Sequence, residues 1–154
     1  MKEINRIISK GVISKEFLKS ETREDFLVDE KRKKIWAVEL DLLLEFDKLC
    51  KEYSLTYFLM HGTLLGAVRH KGFVPWDDDI DVVMPRKDYD KFLALADTIK
   101  EPYFLQTPIT DSESGFSIAK LKNGTETCAS LFDYGKQIFF VVKVKVHVAF
   151  CDNP

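Results

Sequence analysis

The hydrophobic periodicity of this chain predicts an α/β (α+β) fold, a mixed sheet flanked by helices, on three observations. Apolar residues recur every three to four positions from Ile35 to Tyr53 and again from Tyr89 to Ile99, the period of amphipathic helices. Short runs rich in β-branched and aromatic residues, LTYFLM from Leu55 and IDVVM from Ile80, are interleaved with them and suit strands. Near the end, Val142, Val144, Val146 and Val148 alternate with Lys143, Lys145 and His147, the pattern of a strand with one dry and one wet face. Helices and strands in this order pack as layers over one core.

Composition narrows the class of protein. The 154 residues are 45% apolar and 31% charged, which suits one soluble domain with a real core. A net charge of -2 gives no electrostatic reason to expect a nucleic-acid partner. No apolar run reaches the roughly 18 residues of a transmembrane segment, and the opening MKEINRIISKG lacks the apolar core of a secretory signal. Cys50, Cys128 and Cys151 show no close pairing and no zinc spacing, so they read as free thiols in a reducing, cytoplasmic compartment.

Taken in order, residues 1–28 read as an N-terminal extension with short apolar groups (Ile4, Ile7, Ile8; Phe17, Leu18) and Ser14 placed to cap a short helix. The domain proper, 29–154, begins at Asp29, which caps a helix of about seven turns. Its apolar face is Ile35, Val38, Leu42, Phe46, Leu49 and Tyr53, with Lys33, Lys34, Asp41, Lys48 and Lys51 mostly on the solvated side. Leu55–Met60 follows as a buried strand, and Thr63–His70 as a short helix entered through the His61-Gly62 turn. Pro75 forces its predecessor to be extended, so Lys71–Trp76 is a loop. Asp79–Met84 is a strand stopped by Pro85, and Arg86–Ile99 a helix burying Tyr89, Phe92, Leu93, Ala96 and Ile99. Tyr103–Gln106 and Phe116–Leu121 are strands, and Lys122-Asn123-Gly124 is a hairpin turn into a strand at Thr125–Ser130.

The chemistry concentrates between His61 and Met84. Asp77, Asp78, Asp79 and Asp81 crowd into five positions, and two like charges at 4 Å repel by roughly 4 kcal/mol near a protein surface, so a cation is expected among them. Residues two apart on a strand share a face. Asp79 and Asp81 therefore point one way while Ile80 and Val82 enter the core, an arrangement suited to Mg²⁺, which takes one or two carboxylates plus substrate phosphates. Asp77 shares their parity, and Asp78 faces the loop. An EF-hand is excluded, because the sixth position counted from Asp77 is Val82 and the twelfth is Asp88. Gly62 and Thr63, at the start of a helix, offer backbone N–H groups and a hydroxyl to phosphate oxygens. Gly66 permits another backbone to come close, and Arg69 ends the helix with a fork able to grip phosphate. His70 is equally suited to a structural hydrogen bond and to catalysis; Trp76 is assigned to the core rather than to stacking on a base.

These residues carry a family resemblance. HGTLLGAVRHKGFVPWDDDIDVVMPRKDYDKF, His61 to Phe92, resembles the signature block of the LicD family of phosphotransferases, to which fukutin-type proteins are distantly related, within the polymerase-β-like nucleotidyltransferase superfamily. FSIAKLKNGT, Phe116 to Thr125, is similar to a second, looser block. The resemblance implies transfer of a phosphorylated alcohol from a CDP-alcohol, typically phosphocholine from CDP-choline. The acceptor would be a hydroxyl of a cell-surface glycan, such as lipopolysaccharide or teichoic acid, or of its lipid-linked precursor. Carried over by position, Asp79 and Asp81 would be the catalytic carboxylates that hold Mg²⁺, Gly62 and Thr63 would line the phosphate, and Arg69 and Lys120 would contact it. The family's third carboxylate is expected on a late strand, where this chain has Lys145 or His147; Asp133 and Asp152 are the other candidates. The chain stops at Pro154, short of the family's usual extent, so a domain incomplete at its C-terminus is expected. Two other readings stay open: a glycosyltransferase using the Asp-Ile-Asp triplet on a nucleotide sugar, and an inactive, nucleotide-binding relative.

Overall fold

The computed structural model describes residues 2–107, 118–123, 129–133, 136–140 and 143–149. Helix α1 (Lys2–Ser9) leads through a 3-10 turn at Glu16–Leu18 to a hairpin of β1 (Glu21–Arg23) and β2 (Phe26–Val28). Then come α2 (Glu30–Glu52), β3 (Phe58–Leu59), α3 (His61–Arg69), β4 (Ile80–Pro85) and α4 (Arg86–Leu93). A 3-10 turn at Ala96–Thr98 precedes β5 (Tyr103–Gln106), β6 (Ala119–Asn123), β7 (Ala129–Asp133), β8 (Lys136–Phe140) and β9 (Lys143–Ala149). Five strands form one sheet in the order β3-β4-β9-β6-β5, while β7 and β8 pair separately. Within the five-stranded sheet β4 and β9 run parallel and the other neighbours antiparallel. The mixed α/β class predicted from periodicity is the class observed.

Strand parity decides which face is the core. Ile80, Val82 and Met84 of β4, Val144 and Val146 of β9, and Ala119 and Leu121 of β6 are buried in one cluster. Helix α2 packs on β6 and β9, and α4 on β4 and β9, so the helices cover that face. Each fully buried Val, Leu or Ile contributes about 1.5–3 kcal/mol relative to exposure, which makes a one-residue slip of β4 or β9 costly. The opposite face therefore has to carry Asp79, Asp81, Lys120, Lys145 and His147.

Helix α2 starts where expected, with Arg32 N–H donating to Asp29 Oδ1 at 2.8 Å. Ile35, Val38, Leu42, Phe46 and Leu49 are buried as their spacing requires, but Tyr53 lies past the last turn and is exposed. Two residues assigned to the wet side are in fact buried. Asp41 is 2% exposed and accepts from Arg6 Nη2 at 2.6 Å, Lys10 Nζ at 3.1 Å and Tyr103 Oη at 2.6 Å. Lys33 is 3% exposed, donates to Glu21 and lies over the rings of Phe17 and Trp36. The reason is that the first 28 residues fold across this side of α2, and Ile7 and Ile13 join its core. Ser14 serves the 3-10 turn, accepting from Phe17 N–H at 3.3 Å.

Three elements differ in length from expectation. The strand at Leu55–Met60 shortens to Phe58–Leu59. The helix from Arg86 ends at Leu93; beyond it Thr98 Oγ1 donates to Leu95 O at 2.7 Å, a local bond that competes with helix continuation. Lys122 and Asn123 are strand rather than turn, because Asn123 pairs with Tyr103 across the sheet and its buried amide donates to Glu3 Oε1 at 2.7 Å. Phe116, Ser117 and Gly124 to Cys128 lie outside the described residues.

Candidate active site

The start of α3 is stapled to β4. Met60 N–H donates to Asp81 O at 3.0 Å, and Asp81 N–H donates to Thr63 Oγ1 at 2.9 Å. Thr63 uses its oxygen to fix the strand and keeps its hydroxyl hydrogen for an acceptor such as a phosphate oxygen. His61, at the helix entrance, has a φ of +49°, an uncommon left-handed conformation for a non-glycine residue. A Cβ at Gly62 would crowd Asp77 Oδ2, so a larger residue there would have to turn that carboxylate aside. Gly66 is the strict requirement, since its Cβ would come within 3.0 Å of the backbone of Gly72 and Val74. The close backbone approach expected at Gly66 is what the structure shows.

Asp77 is anchored through its main chain. Its carbonyl accepts from Trp36 Nε1 at 2.9 Å and Arg32 Nη1 at 3.0 Å, while Asp78 N–H donates to its Oδ1 at 3.1 Å. Burial raises the Asp77 pKa, and the Asp79 charge adds to the rise. Asp77, Asp78 and Asp79 can bring carboxylate oxygens within 4.8 Å of one another. Nothing local in the sequence marks Trp36 and Arg32 for this role, because their partner is 41 and 45 positions away.

Asp79 and Asp81 lie on the face opposite the core, as parity requires, and β9 faces them with Lys145 and His147. Parallel pairing sets Asp81 beside Lys145, and β6 sets Lys120 on the other side of Lys145. Lys145 Nζ donates to Asp79 Oδ2 and lies 3.9 Å from Asp81 Oδ1. Burial pulls the Lys145 pKa down, but the hydrogen bond to Asp79 and the charges of Asp79, Asp81 and Asp77 outweigh it, so the value stands above the usual lysine range. His147 Nε2 is 2.9 Å from Asp81 Oδ1, and its ring meets that of His61 edge-on at 5.5 Å. Lys145 and His147, noted from the sequence as standing where a carboxylate was expected, are thus direct partners of the two aspartates.

The structure gathers Gly62, Thr63, Asp79 and Asp81, with Lys120 in the same cross-strand row as Asp81. It does not gather Arg69. Seven residues, or about 10 Å of helix, separate it from Gly62, and it bonds His70 Nε2 at 2.9 Å and Glu24 at 3.5 Å. His70 also faces Glu24, at 3.5 Å, in keeping with a structural role. Trp76 is 52% exposed and touches Phe26 and His70 by ring edges, which corrects its assignment to the core; Val74 and Pro75 are the residues buried in that loop. Asp133 lies on β7 in the separate hairpin, and Asp152 lies outside the described residues. Beside the α3 entrance is a cavity of about 280 Å³, lined largely by apolar side chains including Trp36, Leu40 and Phe73, with Thr63, Asp77 and Arg23 also on its wall.

The sequence profile of the LicD/FKTN/FKRP nucleotidyltransferase domain matches residues 54–144, which spans α3, β4 and the start of β9. The chain belongs to this family. Over 54 residues the LicD-family chain is 56% identical to the lipopolysaccharide cholinephosphotransferase LicD of Haemophilus influenzae, covering 35% of this chain and 20% of that protein. It is 32% identical over 97 residues to an uncharacterized protein of Rickettsia prowazekii, covering 62% of this chain and 33% of that one. The LicD-family chain thus aligns with between a fifth and a third of the length of these curated relatives.

Mg²⁺ is the cofactor that the resemblance implies, and the donor set suits it. The described contacts of the carboxylates use Oδ2 of Asp79 and Oδ1 of Asp81, so one hard oxygen of each stays unbonded among the described residues. Two carboxylates on one strand face meet the usual protein share of a magnesium site.

Proposed function

We propose that this chain handles the nucleotide in a LicD-type transferase that moves a phosphorylated alcohol, phosphocholine from CDP-choline, onto a hydroxyl of a cell-surface glycan or its lipid-linked precursor. The observation that carries the reading is the staple between Thr63 and Asp81, which sets the N–H groups of the first α3 turn beside Asp79 and Asp81. A helix start of this kind favours phosphate oxygens. The lipopolysaccharide substrate named for the Haemophilus relative supports the choice of acceptor class.

In this reading Gly62 N–H and the Thr63 hydroxyl hold the donor's diphosphate, and Asp79 and Asp81 hold Mg²⁺. The metal, when bound, supplies charge neutralisation for the diphosphate and the leaving CMP. The acceptor oxygen bonds to the phosphocholine phosphorus, the bond from that phosphorus to the CMP oxygen breaks, CMP leaves with the bonding pair, and the hydroxyl proton passes to solvent. Lys120, in the row beside Lys145, is placed to meet negative charge on the donor. A cytoplasmic site of action belongs to the same proposal; no described helix is long and apolar enough to cross a membrane.

The test is release of CMP from CDP-choline with Mg²⁺, read alongside nucleotide binding by calorimetry. CMP release that is lost in Asp79→Ala supports the transferase reading. Preferential binding of UDP- or GDP-sugars would replace it with a glycosyltransferase. A second reading has its own observation: positions 143–149 of β9 carry no carboxylate, and two of them, Lys145 and His147, contact Asp79 and Asp81. Nucleotide binding without CMP release is the outcome expected of such a non-catalytic relative.

A further inference from the structure

We propose that Lys145 is a tethered counter-cation, which takes the place of a divalent ion between Asp79 and Asp81 and must be displaced before Mg²⁺ can bind. The inference rests on the reading of the two carboxylates as the metal pair. Its basis is geometric. Parallel register brings Lys145 directly opposite Asp81, and its ammonium reaches Asp79 by a hydrogen bond and Asp81 at 3.9 Å. One positive group thus touches both carboxylates, as a bridging ion would.

The lysine is also held there. Its side chain is 26% exposed, with the carboxyl groups it faces at 21% and 10%, so solvent screens the pair only in part. His147 closes the Asp81 side at 2.9 Å, and Lys120 stands across the strand from Lys145. A divalent ion entering this space meets an ammonium a few ångströms away, and like charges at such range repel by several kcal/mol at about 4 Å. Metal affinity is therefore set by a competition inside the protein, and Lys145 is a positioning residue whose effect runs through Asp79 and Asp81.

The experiment measures Mg²⁺ binding by calorimetry, and Mn²⁺ binding by electron paramagnetic resonance, without nucleotide, in wild type, Lys145→Met and Lys145→Arg. Lys145→Met keeps the aliphatic stem and removes the charge; its affinity is expected to rise about tenfold or more, while Lys145→Arg stays near wild type. Lys145→Gln, which keeps a donor toward Asp79, gives the same reading should the methionine variant fold poorly. Metal should also raise the melting temperature of Lys145→Met more than that of wild type, because it relieves a carboxylate pair that has lost its counter-charge. Equal affinity in wild type and both neutral variants overturns the proposal. CMP release is a separate measurement: tighter metal binding in Lys145→Met with no turnover in any form would sink the transferase reading and leave this one standing. Turnover in wild type with no effect of Lys145→Met on affinity would do the reverse.

Discussion

Two clusters of charge occupy opposite faces of the same sheet, and they use their carboxylates differently. On the helix side Glu3, Arg6, Lys10, Asp41, Tyr103 and Asn123 interlock across α1, α2, β5 and β6. Both oxygens of Asp41 are engaged there, Oδ1 by Lys10 and Oδ2 by Arg6 and Tyr103. The hydrogen bond to Glu3, with the Asp41 contacts behind it and against the cost of burial, raises the Arg6 pKa further above its already high range. On the open side Asp79 and Asp81 each keep an oxygen unbonded among the described residues. A fully satisfied buried network rigidifies a fold; in the proposed function the unbonded oxygens of the second cluster are the ones offered to a ligand. The two clusters are alike in charge density and differ in the number of lone pairs left uncommitted among the described residues.

The sharpest way to break that contrast is Asp41→Ala. It removes two ion pairs and the Tyr103 hydrogen bond at a buried position while Arg6 keeps Glu3, and the expected loss is about 3 kcal/mol, read from urea denaturation. A loss no larger than that of a typical surface substitution would mean the network is ornamental. Gly66→Ala comes next. Its Cβ must push the Gly72–Val74 backbone away from α3, at a cost of about 1–3 kcal/mol, and thermal melting should show it. Asp81→Asn tests the other face. Asn can still accept from His147, so stability should change by less than about 1 kcal/mol, yet metal-dependent binding of CDP-choline should vanish. A collapse of folding would instead place Asp81 with the structural cluster.

The smallest effect concerns Glu21. Its hydrogen bond from Lys33 holds its pKa below the ordinary glutamate value against the pull of burial. A depressed carboxylate contributes stability above its unfolded pKa and loses it as pH falls through the folded one. The stability difference between wild type and Lys33→Met should therefore shrink as the solution is acidified through and below the glutamate range. Glu21 is 37% exposed, so its share is under about 1 kcal/mol. A difference that stays constant with pH would assign the effect of Lys33 to its packing over Phe17 and Trp36.

Local pattern reached a good deal of this. The period of α2, the parity of Ile80 against Asp81, and the need for glycine at position 66 depend on neighbours a few residues away, and each is as expected. Asp41 and Lys33 were misplaced because periodicity sees one helix face and not the N-terminal segment that covers the other. Arg69 ends its helix as foreseen, but the direction of its guanidinium was decided by Glu24, on a distant hairpin. Trp76 follows a buried proline and is turned outward by it. The pairing of Lys145 and His147 with the aspartates needed the parallel register of β4 and β9, which no stretch of either strand contains.

That register also orders events in time. β9 comes last of the five strands in sequence, yet it lies in the middle of the sheet, between β4 and β6. Until it docks, β4 and β6 each present an unsatisfied edge, and the two parallel strands must find each other across more than half a hundred intervening residues (Pro85 to Lys143). Such long-range parallel pairing is slow, and open edges invite wrong partners. On a ribosome the chain would wait with its apolar β4 half covered, and the contacts of Lys145 and His147 with Asp79 and Asp81 would form only when β9 docks. Pulse-labelled hydrogen exchange should find β4 and β9 amides protected together, later than those of α2.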